Sequence, residues 1–193
     1  RYSDIASLDY YMEGSYPPSH LGLWCNPVFV RRLQQVTEHR VPVMGFVASA
    51  RFPGEHPTPD QVVKSAWSWI IGGARGVVFF DTVFTPQGGY VSSCSMLTRP
   101  DMANAVASLS SQLQSLRVPL MGKDVDLDVS WSTSNVSAGP VGGVYGVPPH
   151  YVLREDANHY YLFTQTIRPG TTSITWTVPE TANKTITVEG ESR

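Results

Sequence analysis

Four acidic residues lie where this chain could carry out acid–base chemistry. Asp9 and Asp81 each come directly after a short apolar run that predicts a strand, and Glu13 and Glu55 lie in the loops that follow such runs. The carboxyl ends of neighbouring parallel strands meet at one edge of a sheet, where functional loops gather. Two carboxyl groups at that edge can serve as a general acid and as a base or nucleophile.

The elements that must position these carboxylates are best defined between Pro42 and Asp81. Val41 to Val47 and Gly76 to Phe80 are apolar runs, typical of strands that are buried on both faces. A helical segment lies between them. Two such strands joined by a helix predict a parallel, right-handed βαβ unit.

The helix between the two strands has clear start and stop signals. Thr58 can cap it, Pro59 suits the first helical position, and Gln61 completes a capping box. Gly72-Gly73 should end it, because glycine takes left-handed dihedral angles without strain. The predicted apolar face consists of Val62, Val63, Ala66, Trp67 and Ile70, which places Trp67 in the core.

The same alternation of strand and helix occurs on both sides of this unit. Ile5 to Leu8 predicts a strand, and Asn26-Pro27 predicts the cap and first residue of a helix whose last turn contains His39-Arg40. Another helix is predicted from Pro100 until Pro119 stops it. The predicted buried positions are Phe29, Val30, Leu33 and Val36 in the first helix, and Met102, Val106, Leu109, Leu113 and Leu116 in the second. Three consecutive parallel strands are therefore expected.

The pattern changes after Lys123, where apolar and polar residues alternate with period two. The predicted strands lie within Val125 to Trp131, His150 to Arg154, Tyr160 to Ile167, Ile174 to Val178 and Thr185 to Val188, separated by turn residues. Short alternating strands of this kind predict a small antiparallel β-sandwich. The expected fold class is α/β followed by all-β, with domains at residues 1–122 and 123–193.

Composition excludes several classes of function. The formal net charge of −2 comes with no basic or acidic block, which argues against nucleic acid as a partner. No apolar run is long enough to span a bilayer. His20, His56 and His150 lack the spacing of a zinc site, and the sequence has no P-loop or dinucleotide fingerprint. No metal and no cofactor is predicted.

The cysteines and two short motifs bear on the compartment. Cys25 and Cys94 could form a disulfide or remain two free thiols, and the sequence favours neither. Asn135 and Asn183 each begin an N-glycosylation sequon. Together these motifs predict a secreted, extracellular glycoprotein.

Several segments resemble one known architecture. Pro57 to Phe80 resembles the seventh helix and eighth strand of a glycoside-hydrolase (β/α)8 barrel, and Pro42 to Phe46 is similar to the seventh strand. Asp9-Tyr10-Tyr11 resembles the end of the sixth strand. Tyr160 to Phe163 and Ile186 to Gly190 are similar to the β-sandwich that follows such barrels. The resemblance implies the last three βα units of a TIM-type barrel with an appended β-sandwich domain.

The resemblance implies hydrolysis of a polysaccharide or glycan by two carboxyl groups, with Asp9, Glu55 and Asp81 as catalytic candidates. Asp9 occupies a place where some barrel hydrolases carry their acid/base, although it could instead accept hydrogen bonds from loop amides or an arginine. Asp81 could bind a sugar hydroxyl or join a buried ion pair, and Glu55 could be a surface loop residue. The seventh strand ends in Val47 to Arg51 without the nucleophilic glutamate of many retaining enzymes. The alternative is a non-catalytic carbohydrate-binding or structural assembly component.

Side chains near the predicted barrel mouth could hold a sugar. The predicted substrate-binding residues are Tyr10, Tyr11, Glu13, Trp24 and Phe52, with Tyr16, Phe84 and Tyr90 as further aromatic residues in these loops. Aromatic rings stack on the C–H faces of sugars, and polar groups at the rim bind hydroxyls. The alternative is ordinary packing of loops against the barrel, with Glu13 solvated.

A sector of three strands cannot close a barrel by itself. It leaves two open parallel edges and an uncovered interior. We therefore expect further polypeptide, from the same molecule or from another chain, to complete the barrel.

Overall fold

A computed structural model describes residues 4–9, 25–50, 57–85, 87–92, 94, 96–125, 129–133, 150–165, 174–178, 185 and 187. The elements in chain order are β1 (Ala6–Leu8), α1 (Cys25–Val36), β2 (Val43–Ala48), α2 (Pro59–Ile71), β3 (Gly76–Phe80), β4 (Val83–Phe84), β5 (Tyr90–Ser92), α3 (Pro100–Ser115), α4 (Arg117–Met121), β6 (Lys123–Asp124), β7 (Ser130–Thr133), β8 (His150–Glu155), β9 (Tyr160–Gln165) and β10 (Ile174–Thr177).

The first sheet contains β1, β2 and β3 in chain order, and both pairings are parallel. Leu8 lies opposite Gly45, which in turn lies opposite Val77. The prediction of three consecutive parallel strands is confirmed. The described strands form small sheets, none of which closes on itself.

Helix α2 begins as its sequence predicts. The Thr58 hydroxyl accepts a hydrogen bond from the Gln61 amide, and the Gln61 side chain accepts one from the Thr58 amide. Both bonds form between residues three positions apart, so the local sequence suffices for them. Of the two glycines at the other end, only Gly73 takes a positive φ (107°), whereas Gly72 stays helical.

The burial of α2 differs from its predicted face. Val62, Ala66 and Ile70 are buried as expected, and Val63 and Trp67 are partly buried against the core, but the fully buried tryptophan is Trp69, which was not on the predicted face. The reason is that α2 is covered on several sides, since it contacts α1, α3, β2 and β3 and also β8 and β9. A helix enclosed in this way buries more than one stripe of residues.

Helix α1 corrects three further predictions. Asn26 does not cap the helix, which begins one residue earlier; its buried amide instead donates to the Ser65 carbonyl of α2 at 3.5 Å. Val36, predicted to be buried, is 67% exposed. The helix ends at Val36, before His39, because Glu38 and His39 take positive φ values of 51° and 56°.

Helix α3 begins at Pro100 as predicted and buries Met102 and Leu109. It ends at Ser115, before Pro119, so Pro119 is not its stop signal. Pro119 lies instead within the short helix α4. The loop predicted between β3 and this helix contains the antiparallel pair β4–β5.

The C-terminal part forms two antiparallel sheets, one with the order β6-β8-β9 and the other pairing β7 with β10. The strands predicted from His150, Tyr160 and Ile174 are all present. Thr185 and Thr187, predicted to lie in a last strand, have no strand pairing, and their neighbours at 186 and 188 lie outside the described residues.

Candidate functional site

Within the described residues, helices cover one face of the parallel sheet and no helix packs on the other, which we call the open face. Side chains alternate between the two faces of a strand, so the covered face identifies the other. The strand residues that lie in or against the buried core are Ala6, Leu8, Val43, Val47, Val77 and Phe79. The open face therefore carries Ser7, Met44, Phe46, Ala48, Val78 and Phe80, of which Val78 is 38% exposed whereas Ala48, at the carboxyl end, is fully buried. A site built by this sheet would lie at the carboxyl end of the open face.

Asp9 lies at that end. It follows Leu8, which packs against the core, so continued alternation places Asp9 on the open face with Ser7. Asp9 is exposed to solvent. Among the predicted carboxylates that the structure describes, it is the one whose position suits contact with a bound molecule.

Asp81, the second candidate at a strand end, is engaged in local structure. Its Oδ1 accepts a hydrogen bond from the Met96 amide at 2.8 Å. Met96 opens the turn of 3-10 helix, Met96–Thr98, that leads into α3. Burial raises the pKa of the Asp81 carboxyl, and the Met96 amide partly opposes that shift. The carboxylate thus anchors this turn to the end of β3, a role that was not among its predicted alternatives.

Asp9 and Asp81 are also poorly placed to act as a pair. They lie two strands apart, and the register puts Asp9 level with Val78, three residues before Asp81. With about 4.8 Å between strands and about 3.3 Å per residue, their main-chain positions are roughly 14 Å apart. Catalytic carboxyl pairs of glycoside hydrolases are separated by about 5 to 10 Å. Together with the bond to the Met96 amide, this main-chain spacing favours a second carboxyl group from another residue.

The end of β2 offers no carboxylate in its described part. Ser49 and Ala50 are fully buried, and both the amide and the hydroxyl of Ser49 donate to the Phe80 carbonyl at 3.1 Å. These bonds extend the contact between the second and third strands. Glu55 follows outside the described residues.

All five predicted substrate-binding residues also lie outside the described parts of the chain, namely Tyr10, Tyr11, Glu13, Trp24 and Phe52, as do the sequon residues Asn135 and Asn183. Of the other loop aromatics, Phe84 stacks on Phe80 with ring centroids 6.1 Å apart. Tyr90 pairs with Phe84 in the β4–β5 hairpin and is 65% exposed. An aromatic surface therefore continues from the open face into the loop after β3.

The cysteines are free thiols in the structure, which is one of the two alternatives that the sequence left open. Cys25 is buried at the start of α1, and burial raises its pKa to about 11. Cys94 is exposed in the loop that follows β5. Within the described ranges, no three His, Cys, Asp or Glu side chains come together as a metal site.

Sequence reasoning missed a polar cluster at the joint between α2 and the antiparallel sheet. Arg154 of β8 is only 1% exposed; its Nε donates to Asp124 Oδ1 at 3.0 Å, and it also donates to the Leu120 carbonyl. Its guanidinium lies 5.9 Å from the ring centroid of Phe163. Arg75, in the turn between α2 and β3, reaches the other oxygen of Asp124 at 3.5 Å. Nothing in the alternating strand pattern marks Arg154 as buried.

Comparison with family models, curated proteins and solved structures gives no match. No helix in the described segments combines the length and the apolar character needed to cross a bilayer.

Proposed function

We propose that this chain is part of a glycoside-hydrolase-like (β/α)8-barrel protein that acts on a polysaccharide or glycan. The observation that supports this most is the parallel sheet β1-β2-β3, with helices on one face and an open, largely apolar other face. In this proposal the open face points into the barrel, and the antiparallel sheets form the appended β-sandwich.

The composition of the open face fits that assignment. Parallel sheets are normally covered on both faces, and barrel interiors are filled with bulky apolar side chains. Met44, Phe46, Val78 and Phe80 supply such side chains, and β1 and β3 have unpaired outer edges within the described strands. Further polypeptide, from the same molecule or from another chain, would pair with these edges and fill the remaining interior.

Asp9 would act as the acid/base of the reaction. It would protonate the glycosidic oxygen of the leaving group, while a second carboxylate attacks the sugar carbon or activates a water. Asp81 does not suit the second role, because of its bond to the Met96 amide and its distance from Asp9. Glu55 or a residue from the remaining strands would have to supply it.

A second candidate function is binding without catalysis, as a carbohydrate-binding or structural component of the same architecture. Two observations favour it: Asp81 is tied to local structure, and the described end of β2 has Ser49 and Ala50 where a nucleophile would stand. Asp9 would then bind a sugar hydroxyl.

The decisive experiment compares Asp9→Asn with Asp4→Asn. Asp4 is an exposed aspartate near the amino end of β1, so it is a control for charge removal away from the site. With the native protein, including any attached polypeptide found by intact mass, we expect Asp9→Asn to lower sugar release from polysaccharides at least about 100-fold, and Asp4→Asn to leave it unchanged. Equal turnover of all three proteins would remove Asp9 from the mechanism. Binding without any sugar release would favour the second candidate.

Secretion and glycosylation are part of the proposal. The sequons at Asn135 and Asn183 support an extracellular glycoprotein. The intact mass of the native protein should fall after enzymatic removal of N-glycans, and an unchanged mass would contradict glycosylation.

A further inference from the structure

The loop between β3 and α3 carries the antiparallel hairpin β4–β5, whose turn is held by its own hydrogen bonds. The Thr85 amide donates to the Gly89 carbonyl at 2.7 Å. The Thr85 carbonyl and hydroxyl accept hydrogen bonds from the Gly88 and Gly89 amides at 2.8 and 2.9 Å. The hairpin therefore has a defined shape, and its use depends on how it is held against the parallel sheet.

Two contacts hold this hairpin at the carboxyl end of β3. On the entering side, Phe84 of β4 stacks on Phe80, whose carbonyl accepts hydrogen bonds from the amide and hydroxyl of Ser49. On the leaving side, the Met96 amide donates to Asp81 Oδ1 at 2.8 Å. The Asp81 carboxylate thus closes a loop whose ends are fifteen residues apart in sequence.

The hairpin presents Tyr90 beside the open face. Tyr90 pairs with Phe84, and directly opposed residues project from the same face of an antiparallel pair. Because the Phe84 ring lies against Phe80, that face of the hairpin continues the open face of the parallel sheet. Tyr90 is 65% exposed, so most of its ring is accessible. A phenol has an apolar face and a hydroxyl, which suit the C–H faces and hydroxyls of a sugar.

The contacts of Asp81 separate it from the reacting atoms. Its carboxylate accepts a main-chain amide, and it lies two strands away from Asp9. Accepting an amide requires an oxygen lone pair but no proton transfer, so Asp81→Asn keeps a suitable acceptor whereas Asp81→Ala does not. The two substitutions therefore distinguish anchoring of the loop from acid–base catalysis.

We propose that Asp81 is a positioning residue, which holds the β4–β5 hairpin at the carboxyl end of the open face so that Tyr90 forms one wall of the binding site. The identity of the ligand as a sugar rests on the proposed function. Tyr90 contacts the sugar, and Asp81 acts through the placement of Tyr90. Loss of either side chain should therefore raise KM and leave kcat largely unchanged.

The test compares Asp81→Ala, Asp81→Asn and Tyr90→Ala in the native protein, including any attached polypeptide found by intact mass. With a polysaccharide that the wild type cleaves, we expect Asp81→Ala and Tyr90→Ala each to raise KM about fivefold or more and to change kcat less than about twofold. Asp81→Asn should keep KM within about twofold of the wild-type value, because its amide oxygen accepts the same hydrogen bond. If sugar is bound without release, Kd is measured in place of KM.

The matched controls are Asp156→Ala and Tyr160→Ala, both in the antiparallel sheet. Asp156 Oδ1 accepts hydrogen bonds from the Asn158 and His159 amides at 2.8 and 2.9 Å, so it also holds a turn, but between β8 and β9. Tyr160 is a partly exposed tyrosine of β9. Both controls should leave KM and kcat unchanged.

Amide hydrogen exchange measures the anchoring of the loop without a sugar. Asp81→Ala should speed exchange of the Met96 amide at least about tenfold, whereas Asp81→Asn should preserve its protection. Tyr90→Ala changes an exposed side chain, so it still tests the wall of the site if Asp81→Ala fails to fold.

The outcomes separate a failure of this assignment from a failure of the proposed function. If the wild type binds or releases sugar but Asp81→Ala leaves Met96 exchange or KM unchanged, or Tyr90→Ala leaves KM unchanged, only the positioning role is overturned. A loss of kcat in Asp81→Asn would overturn it too, because Asp81 would then be catalytic. If the wild type neither binds nor releases any polysaccharide, the proposed function fails and the sugar-binding wall fails with it.

Discussion

Helix α2 is held from two sides by different kinds of contact. Towards the parallel sheet, the fully buried Trp69 ring lies over Gly45, where the strand backbone leaves room for it. Towards the antiparallel sheet, Trp67 stacks on Phe163 with ring centroids 6.3 Å apart, but the neighbouring contacts are polar. There the Gln165 side chain donates to the Lys64 carbonyl at 2.9 Å.

The two contacts also differ in how many of their buried polar atoms lack a hydrogen-bond partner among the described residues. Trp69 Nε1 is such an atom at the first contact, whereas the antiparallel sheet contains three, His150 Nδ1, Arg154 Nη2 and Gln165 Oε1. Buried polar atoms without partners are costly, and a partly satisfied network weakens the contact that contains it. The contact of α2 with the parallel sheet therefore depends mainly on the volume of the packed side chains. The contact with the antiparallel sheet depends on charge and protonation.

The largest effect on stability should come from adding one carbon where α2 packs on the parallel sheet. A Cβ at residue 45 would lie 2.2 Å from Trp69 Cδ2, and the rigid ring is enclosed on every side. We expect Gly45→Ala to lower the free energy of unfolding by about 3 kcal/mol, measured by urea denaturation.

The matched control is Gly76→Ala on the neighbouring strand. The Cβ would lie 2.8 Å from Met44 Sδ, at the flexible end of a side chain on the open face. That side chain can move aside, so the loss should stay below about 1 kcal/mol. Equal losses for the two variants would show that the faces of the sheet are not packed differently.

Removing a charge should have the next largest effect. Asp124→Ala takes away the carboxylate that pairs with the buried guanidinium of Arg154. Because Asp124 is itself about half exposed, we expect a loss of about 2 kcal/mol, less than for a fully buried pair. The control Lys64→Ala breaks the exposed pair with Asp60 on α2 and should cost about 0.5 kcal/mol or less. Losses of similar size in the two variants would show that the Asp124–Arg154 pair stabilises the fold no more than an exposed ion pair does.

A pH effect should be the smallest of the three. Burial, and then the charge of Arg31 on α1, lower the pKa of His150 to about 4 from its ordinary value of 6.5. Below pH 6.5 the imidazole becomes protonated in the unfolded chain but stays neutral in the folded chain until about pH 4. The contribution of neutral His150 to the free energy of unfolding is therefore complete above pH 6.5 and is lost as the pH falls towards 4. Between pH 7.5 and pH 5 we expect a loss of about 1.5 kcal/mol that His150→Asn removes. The same pH dependence in the wild type and in His150→Asn would show that protonation of His150 does not affect the free energy of unfolding.

Local rules predicted well where both partners lie within a few residues. The capping box of Thr58 and Gln61 and the start of α3 at Pro100 follow from such rules. The positions of Asp9 and Asp81 at strand ends were also predicted, since each follows an apolar run. The Met96 amide that holds Asp81 is fifteen residues away, so no local pattern could reveal it.

The sequence by itself determined the strand–helix alternation, the parallel order of the first three strands and the antiparallel hairpins, because each depends on periodicity and on caps within one element. Tertiary structure alone decided that Trp69 rather than Trp67 is fully buried, and that Arg154 is enclosed. A helical pattern identifies apolar residues but not how many sides of the helix are covered. Both sheets pack against α2, and Trp69 fills the close approach over Gly45 of the parallel sheet, whereas Trp67 stacks on Phe163 of the antiparallel sheet and is only partly buried.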